Sequence, residues 1–171
     1  MNFDNKINYK KCCFTGHRPS GLPWGYNEQD FRYLNLKVEL IKKIKQAIED
    51  GFNYFISGMA LGVDILAAEI VLNLKKEFPF IKLELAIPCL NQFEKWKSSQ
   101  KERYNKVFKK ADFITYVSKE NYFTNCMQLR NKYMVNNSNK IIAVFNGKNG
   151  GTKQTIDYAT EKGVEIEIIK P

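Results

Sequence analysis

The chain has 171 residues and a formal net charge of +9, from 27 lysines and arginines against 18 aspartates and glutamates. That length suits one domain with a sizeable core, and a composition that is 44% hydrophobic and 26% charged excludes an intrinsically disordered chain. The positive charge favours anionic partners such as nucleotides or nucleic acid, with an ordinary solvated surface as the alternative. No apolar run approaches the roughly 20 residues of a membrane span, so we predict no membrane insertion.

The N-terminal segment 1–11 is basic but lacks the apolar stretch of a secretory signal, which predicts a cytoplasmic protein. The four cysteines include no CxxC pair, and His17 is the one histidine. Because a zinc site needs about four ligands at chelating spacing, we predict no metal site and no required cofactor. We interpret the cysteines as reduced, buried thiols.

Strand-like and helix-like patterns alternate along the chain. Short apolar runs predict strands at residues 11–15, 53–57, 81–87, 113–117, 141–145 and 164–169. Apolar residues at helical spacing predict helices at residues 31–48, 62–74, 91–110, 125–135 and 152–162. The glycines and prolines of residues 16–30 predict a long loop.

This alternation predicts an α/β fold: a single domain with a Rossmann-like parallel sheet and helices on both faces. Right-handed crossovers then place every strand-to-helix loop at the carboxyl edge of the sheet, where such sheets bind ligands. The loops gathered at that edge would be residues 16–30, 58–62, 88–92, 118–125 and 146–152.

One glycine-containing loop joins the second strand to the second helix. Glycine lets a backbone approach a ligand closely, and the free N–H groups at a helix start suit phosphate. The alternative is an ordinary tight turn with an acidic residue in the first helical turn. The candidate ligand-binding residues of this loop are Ser57, Gly58, Met59, Ala60, Gly62 and Asp64.

A second glycine-rich loop follows the fifth strand. Gly150 and Gly151 can form a backbone anion nest, and the hydroxyl of Thr152 can cap the helix or bind phosphate. A flexible surface loop is the alternative interpretation. Two such loops at one sheet edge would present two helix N-termini to the same ligand.

The first strand ends at Gly16 and is followed by His17 and Arg18. The guanidinium of Arg18 offers a planar fork for phosphate or carboxylate, and His17 can hydrogen-bond a base or ribose or transfer a proton. Trp24 and Tyr26 can stack on a base. The alternative is that these side chains only anchor the long loop.

A polar and aromatic stripe is predicted on the helix at 91–110. Gln92, Trp96, Gln100 and Tyr104 recur every four residues and would line either the groove or a subunit contact. Arg130 and Asn131, on the short helix that follows, are further candidates for the same edge.

The chain resembles the YpsA-like family of the SLOG (SMF/DprA–LOG) superfamily of Rossmann-like proteins. The resemblance implies a site for a nucleotide or a nucleotide-derived ligand and leaves the reaction open. The residues that carry it are Thr15-Gly16-His17-Arg18-Pro19, Leu22-Pro23-Trp24-Gly25-Tyr26, Ser57-Gly58-Met59-Ala60-Leu61-Gly62-Val63-Asp64, Ala67-Ala68-Glu69, Ile87-Pro88-Cys89, Gln92, Trp96, Gln100, Arg103-Tyr104, Arg130-Asn131 and Gly150-Gly151-Thr152.

This sequence differs from two kinds of relative in the superfamily, and the differences favour ligand binding over the functions of those relatives. LOG enzymes, which are phosphoribohydrolases of nucleoside monophosphates, carry a GGxGTxxE pattern, and here Thr155 stands where its acid would be. Cleavage of an N-glycosidic bond usually requires a carboxylate near the sugar. Asp64 and Glu69 are the carboxylates that could replace the missing acid. DprA binds single-stranded DNA, but this chain has no dense stripe of basic residues.

We therefore expect a module that binds a nucleotide or nucleotide-derived ligand, as a sensor, regulator or sequestering protein. The alternatives are a nucleotide N-glycosidase and a single-stranded nucleic-acid binder. The sequence also leaves homo-oligomer formation open.

Overall fold

The computed structural model describes residues 8–171, which form one parallel six-stranded sheet flanked by five helices. The strands are β1 (Lys11–Gly16), β2 (Tyr54–Ser57), β3 (Lys82–Ile87), β4 (Phe113–Tyr116), β5 (Lys140–Val144) and β6 (Glu165–Ile169). The helices are α1 (Phe31–Glu49), α2 (Val63–Leu74), α3 (Ser98–Phe108), α4 (Cys126–Asn136) and α5 (Gly151–Glu161). Most of the N-terminal segment 1–11, which is predicted to lack a secretory signal, lies outside the described residues.

The strand order β4-β3-β2-β1-β5-β6 creates a switch point in the sheet. From β1 the chain moves outward to β4, and then returns to place β5 on the other side of β1. Ligands of open parallel sheets bind outside the carboxyl ends of the strands where the order reverses. The fold therefore places the candidate site beside the ends of β1 and β5, at Gly16 and Val144.

Alternating residues of the strands face two hydrophobic layers. Cys12 and Phe14 pack in the core beneath α1, α2 and α3, whereas Cys13 packs beneath α4 and α5. Every residue of β5 is buried, because helices cover both faces of the sheet there. The predicted α/β fold with helices on both faces is confirmed.

The predicted helix at 91–110 is wrong in its first part. Helix α3 begins only at Ser98, and turns occupy most of the preceding residues. The backbone N–H of Lys97 donates to Oε1 of Gln100 at 2.9 Å, which caps the helix start at that point. Gln92 and Trp96 consequently do not share a helical stripe with Gln100.

The helices within residues 8–171 include none that is both long and apolar enough to cross a bilayer. The four cysteines are buried and free, as predicted. No three His, Cys, Asp or Glu side chains in this part of the chain are grouped to hold a metal ion.

Candidate functional site

A cavity of about 290 Å³ lies at the switch point, outside the ends of β1 and β5. Its walls come from the loop after β1, the turn before α2, the first half of α4 and the start of α5. The predicted site residues that line it are Gly16, His17, Arg18, Ala60, Asp64, Arg130, Asn131, Gly151 and Thr152. The structure thus brings together candidates that are spread over most of the sequence.

The turn before α2 is hydrogen-bonded within itself. The hydroxyl of Ser57 donates to the backbone oxygen of Asp64 at 2.8 Å and accepts from the N–H of Met59 at 3.2 Å. The N–H of Ala60 donates to Oδ2 of Asp64 at 3.4 Å. Met59 has a positive φ of 56° and a fully buried side chain. Two backbone donors predicted to hold phosphate are therefore already occupied by the protein's own oxygens.

Gly62 closes this turn with a φ of 97°, in the left-handed region that favours glycine. A Cβ at this position would lie 2.6 Å from the backbone oxygen of His17. The loop after β1 is thus packed directly on the start of α2. Glycine here permits a close approach of two loops of the protein, rather than of a ligand.

Arg130 lies over the same turn as a buried cation. Its Nη1 donates to the backbone oxygen of Gly58 and lies 3.8 Å from Oδ2 of Asp64, with the two side chains only 5% and 6% exposed. Burial raises the pKa of Asp64 above its ordinary value, which the nearby Arg130 opposes. Burial also disfavours the charged form of Arg130 and so lowers the pKa of its guanidinium. The two groups form a buried ion pair in the cavity wall.

A chain of hydrogen bonds connects Arg130 to the start of α5. The Nε of Arg130 donates to Oδ1 of Asn131 at 2.8 Å, and Nδ2 of Asn131 donates to the hydroxyl of Thr155 at 2.9 Å. The Thr155 hydroxyl in turn donates to the backbone oxygen of Gly151 at 2.8 Å. Asn131 thus holds the guanidinium of Arg130 in position relative to the first turn of α5.

The start of α5 is the open helix terminus of the site. Gly150 precedes the helix with a φ of 150°, and a Cβ built on Gly150 or Gly151 meets no atom within 4 Å. The first N–H groups of a helix have no partner within the helix and carry partial positive charge. Together with Thr152 they offer an anion a set of donors facing the cavity.

His17 connects the loops that follow β1 and β5. Its Nε2 accepts a hydrogen bond from the N–H of Asn146 at 3.2 Å, and its ring stacks on Phe145 with a centroid distance of 6.0 Å. Burial lowers the pKa of His17. An Nε2 that accepts must be unprotonated, so the neutral ring carries its hydrogen on Nδ1. His17 therefore lines the cavity while its Nε2 holds the loop after β5.

Arg18 is the exposed cation of the site. Its side chain forms no ion pair within residues 8–171, in contrast to the buried guanidinium of Arg130. Both arginines line the same cavity. An anion that enters from solvent would therefore meet Arg18 first.

Trp24 and Tyr26 lie away from this cavity. Trp24 is buried and packs edge-on against Tyr33 with a centroid distance of 6.2 Å, whereas Tyr26 is 67% exposed. Both line a separate small pocket of about 70 Å³, together with Arg103. The structure does not bring these two predicted stacking residues beside Arg18.

A second cavity, of about 560 Å³, adjoins the first and shares Arg18, Ala60 and Met127 with it. We call the two cavities together the edge groove. Gln92, Trp96 and Tyr122 line this second cavity. Met127 and Tyr122 are not among the site residues predicted from the sequence. The one signal for Tyr122 is its place in the loop at 118–125, which is predicted to lie at the carboxyl edge.

The family comparison covers nearly the whole chain. A family model described as the YspA SLOG family matches residues 12–170. A UPF0398 protein of Bacillus thuringiensis (strain Al Hakam) is 31% identical over 160 residues, which is 92% of this chain and 86% of that protein. A UPF0398 protein of Lysinibacillus sphaericus is 28% identical over 152 residues, or 88% of this chain and 84% of that protein.

Two solved structures of DNA processing protein A share the fold. The Helicobacter pylori protein, described for its single-stranded DNA binding mode, matches with a TM-score of 0.65 and 18% identity over 93% of this chain and 64% of that one. The Streptococcus pneumoniae protein matches with a TM-score of 0.64 and 18% identity over 94% of this chain and 50% of that one. This chain therefore spans about two thirds of the Helicobacter pylori chain and half of the Streptococcus pneumoniae chain.

Proposed function

Since this chain belongs to the YspA SLOG family, we propose that it binds a phosphate-bearing nucleotide or nucleotide-derived ligand in the edge groove. The observation that carries the proposal is the pairing of an exposed arginine, Arg18, with the open N-terminus of α5 across one cavity. The cavity lies at the switch point of the sheet, where α/β folds bind such ligands.

The phosphate would be held by Arg18 and by the start of α5. A guanidinium forms paired, charge-assisted hydrogen bonds to phosphate oxygens. The N–H groups of Gly151 and Thr152 and the hydroxyl of Thr152 add donors from the opposite wall. The ion pair of Arg130 with Asp64 would remain part of the wall, because its charges already compensate each other.

The two carboxylates that the sequence offered as the acid of an N-glycosidase, Asp64 and Glu69, support ligand binding ahead of hydrolysis. Asp64 lines the first cavity, but it accepts from the N–H of Ala60 and faces Arg130. Glu69 is held by Arg103 through two hydrogen bonds of 2.6 and 2.7 Å, and it does not line the edge groove. Both carboxylates are therefore engaged within the protein, whereas a glycosidase acid must be available to the sugar. A third carboxylate, the exposed Glu94, lines the second cavity, where its Oε2 accepts from Nδ2 of Asn91 at 3.0 Å.

The decisive test is nucleotide binding by the wild type and by Arg18→Ala, measured by calorimetry with AMP and ADP. Loss of a charge-assisted contact should weaken binding by about 1.5–3 kcal/mol, roughly tenfold to a hundredfold in Kd. Lys42→Ala removes the same charge from an exposed position on α1 and should leave the Kd unchanged. Equal affinity of the wild type and Arg18→Ala would refute this site.

Single-stranded nucleic acid is the second candidate ligand. Arg18 belongs to both cavities, so the groove extends beyond the first cavity, and its second part is lined by the rings of Trp96 and Tyr122. Bases of any sequence stack on such rings. Binding of an oligonucleotide should then weaken steeply with salt, with a slope set by the number of phosphates contacted. A salt-independent or undetectable interaction would exclude this candidate.

A further inference from the structure

Helix α1 carries a second apolar row in addition to the face that packs in the core. Its buried residues are Tyr33, Leu36, Leu40, Ala47, Ile44 and Ile48. On another side of the helix, Phe31, Leu34 and Val38 are 69%, 48% and 49% exposed. Their spacing of three and four residues places them in one row, which the half-buried Ile41 extends by one turn. We call these four residues the α1 stripe.

An exposed row of this kind indicates a contact surface. A surface helix normally turns one apolar face to the core and polar residues to solvent. Arg32, Asn35 and Lys42 follow that rule on the outer side of α1, and the α1 stripe departs from it. Large apolar side chains that lie together on a protein surface mark sites of association.

The α1 stripe is symmetric about its own midpoint. Phe31 and Ile41 lie five positions on either side of Leu36, and Leu34 and Val38 lie two positions on either side of it. Two copies of α1 packed antiparallel would therefore set Leu34 of each copy against Val38 of the other, and Phe31 of each against Ile41 of the other. A two-fold dimer requires such a self-complementary surface, because both partners use the same residues.

The charges at the two ends of the α1 stripe favour the same arrangement. Glu28 and Asp30 precede the stripe, and Lys42 and Lys45 follow it. Antiparallel packing brings the acidic start of each helix beside the lysines of the other copy, and it also opposes the two helix dipoles. The exposed pair of Lys42 with Glu39 is weak enough for the lysine to change partners. Parallel packing would instead bring like charges together.

We propose that the α1 stripe is the contact between two copies of this chain, with their α1 helices antiparallel. Residues 31–41 cover about 15 Å of helix, at roughly 1.5 Å per residue. A contact of that length belongs to the small and weak class of interfaces, so the dimer should dissociate on dilution.

Sedimentation equilibrium over about a hundredfold range of protein concentration tests this contact. The wild type should pass from monomer to dimer as the concentration rises. Leu34→Lys puts a charge into the apolar row of both copies and should raise the dissociation constant of the dimer about tenfold or more. Leu129→Lys makes the same change on α4, at a side chain that is 47% exposed, and should leave the dissociation constant unchanged. A monomeric wild type overturns the proposal, and so does a dimer that persists unweakened in Leu34→Lys.

A second variant tests the antiparallel arrangement. Val38→Glu alone should also weaken the dimer. A mixture of Leu34→Lys and Val38→Glu should form heterodimers, because the introduced lysine of one copy faces the introduced glutamate of the other. A mixture that stays monomeric overturns the antiparallel arrangement. Both substitutions lie at exposed helix positions, and thermal unfolding checks that the variants are folded. A wild type that is monomeric and co-sediments with anionic lipid vesicles would assign the α1 stripe to a membrane surface and overturn the dimer.

Discussion

The two glycine-rich turns at the carboxyl edge look alike in sequence but differ in what occupies them. At the start of α2, Asp64 accepts from the N–H of Ala60, and a Cβ at Gly62 would lie 2.6 Å from the backbone oxygen of His17. At the start of α5, the positions beside Gly150 and Gly151 are open. The first turn is closed by the protein's own groups, and the second is open to a ligand.

This difference shows that glycine at a strand-to-helix turn has two separate uses. In the first turn it permits close packing of backbone on backbone, and an internal carboxylate takes the place that an anionic ligand would take. In the second turn it leaves donors uncovered. The two turns differ at the second residue after the glycine that precedes the helix: Asp64 stands there after Gly62, and the neutral Thr152 stands there after Gly150.

The largest expected effect comes from removing the internal carboxylate. Asp64→Ala leaves the guanidinium of Arg130 buried without its partner, and the free energy of unfolding should fall by about 3 kcal/mol. Urea denaturation measures the loss. Asp157→Ala removes an exposed carboxylate paired with Lys153 and should cost less than about 0.5 kcal/mol. Similar losses in the two variants would show that the first turn is not held by its own ion pair.

The same substitution made in the two turns should have opposite effects. Gly62→Ala forces a side chain into the left-handed region and against the oxygen of His17, and it should destabilise the fold by about 2 kcal/mol. Gly151→Ala has no positive φ and no close neighbour, so it should change stability by less than about 1 kcal/mol and in the favourable direction. Denaturation midpoints of the two variants check this. A destabilised Gly151→Ala would mean that the second turn is not open.

A smaller effect is expected from the hydrogen-bond chain that holds the open turn. Thr155→Val keeps the shape of the side chain but removes its bonds to Asn131 and Gly151, which should cost about 1 kcal/mol of stability and also weaken nucleotide binding. Thr160→Val removes only a comparable bond to the oxygen of Ile156 and should alter neither quantity by much. Calorimetry and urea denaturation report the two quantities separately. Unchanged nucleotide affinity in Thr155→Val would limit its role to stability.

The sequence predicted the sheet well because its strands are continuous apolar runs, as in β5, and because glycines separate them from the helices. It placed Arg18 and Thr152 at one edge because right-handed crossovers bring the strand-to-helix loops together there. It offered Arg130 only as a further candidate, because that residue lies within a helix and the crossover rule does not fix its side chain. It left open whether the turn before α2 holds a ligand or is an ordinary tight turn, because that depends on the hydrogen bond that Asp64 accepts from Ala60. Nor did it predict the late start of α3 at Ser98, because Gln92 and Trp96 fit helical spacing by chance.

The smallest expected effect concerns His17. This residue connects the loop after β1, which packs on the closed turn, to the loop after β5, which leads into the open turn. Its Nε2 accepts from Asn146, and burial lowers its pKa below the ordinary value of about 6.5. As the pH falls below 6.5 the unfolded chain takes up a proton before the folded one, so stability should decline until the pH passes the lower, folded pKa. Well above pH 6.5 the imidazole is neutral in both states, and His17 should add no pH dependence there.

The chain has a single histidine, so its one imidazole signal in a proton NMR titration gives this pKa directly. In urea denaturation from pH 8 to pH 5, the wild type should lose more stability than His17→Gln, in which an amide oxygen can accept from Asn146 but cannot titrate. Because all other acidic and basic groups are common to both proteins, the difference isolates the imidazole. A folded pKa at or above 6.5 would mean that His17 does not hold the loops after β1 and β5 together through an unprotonated nitrogen. The link between these loops would then rest on other contacts, such as the bond from Nδ2 of Asn146 to the backbone oxygen of Gly21.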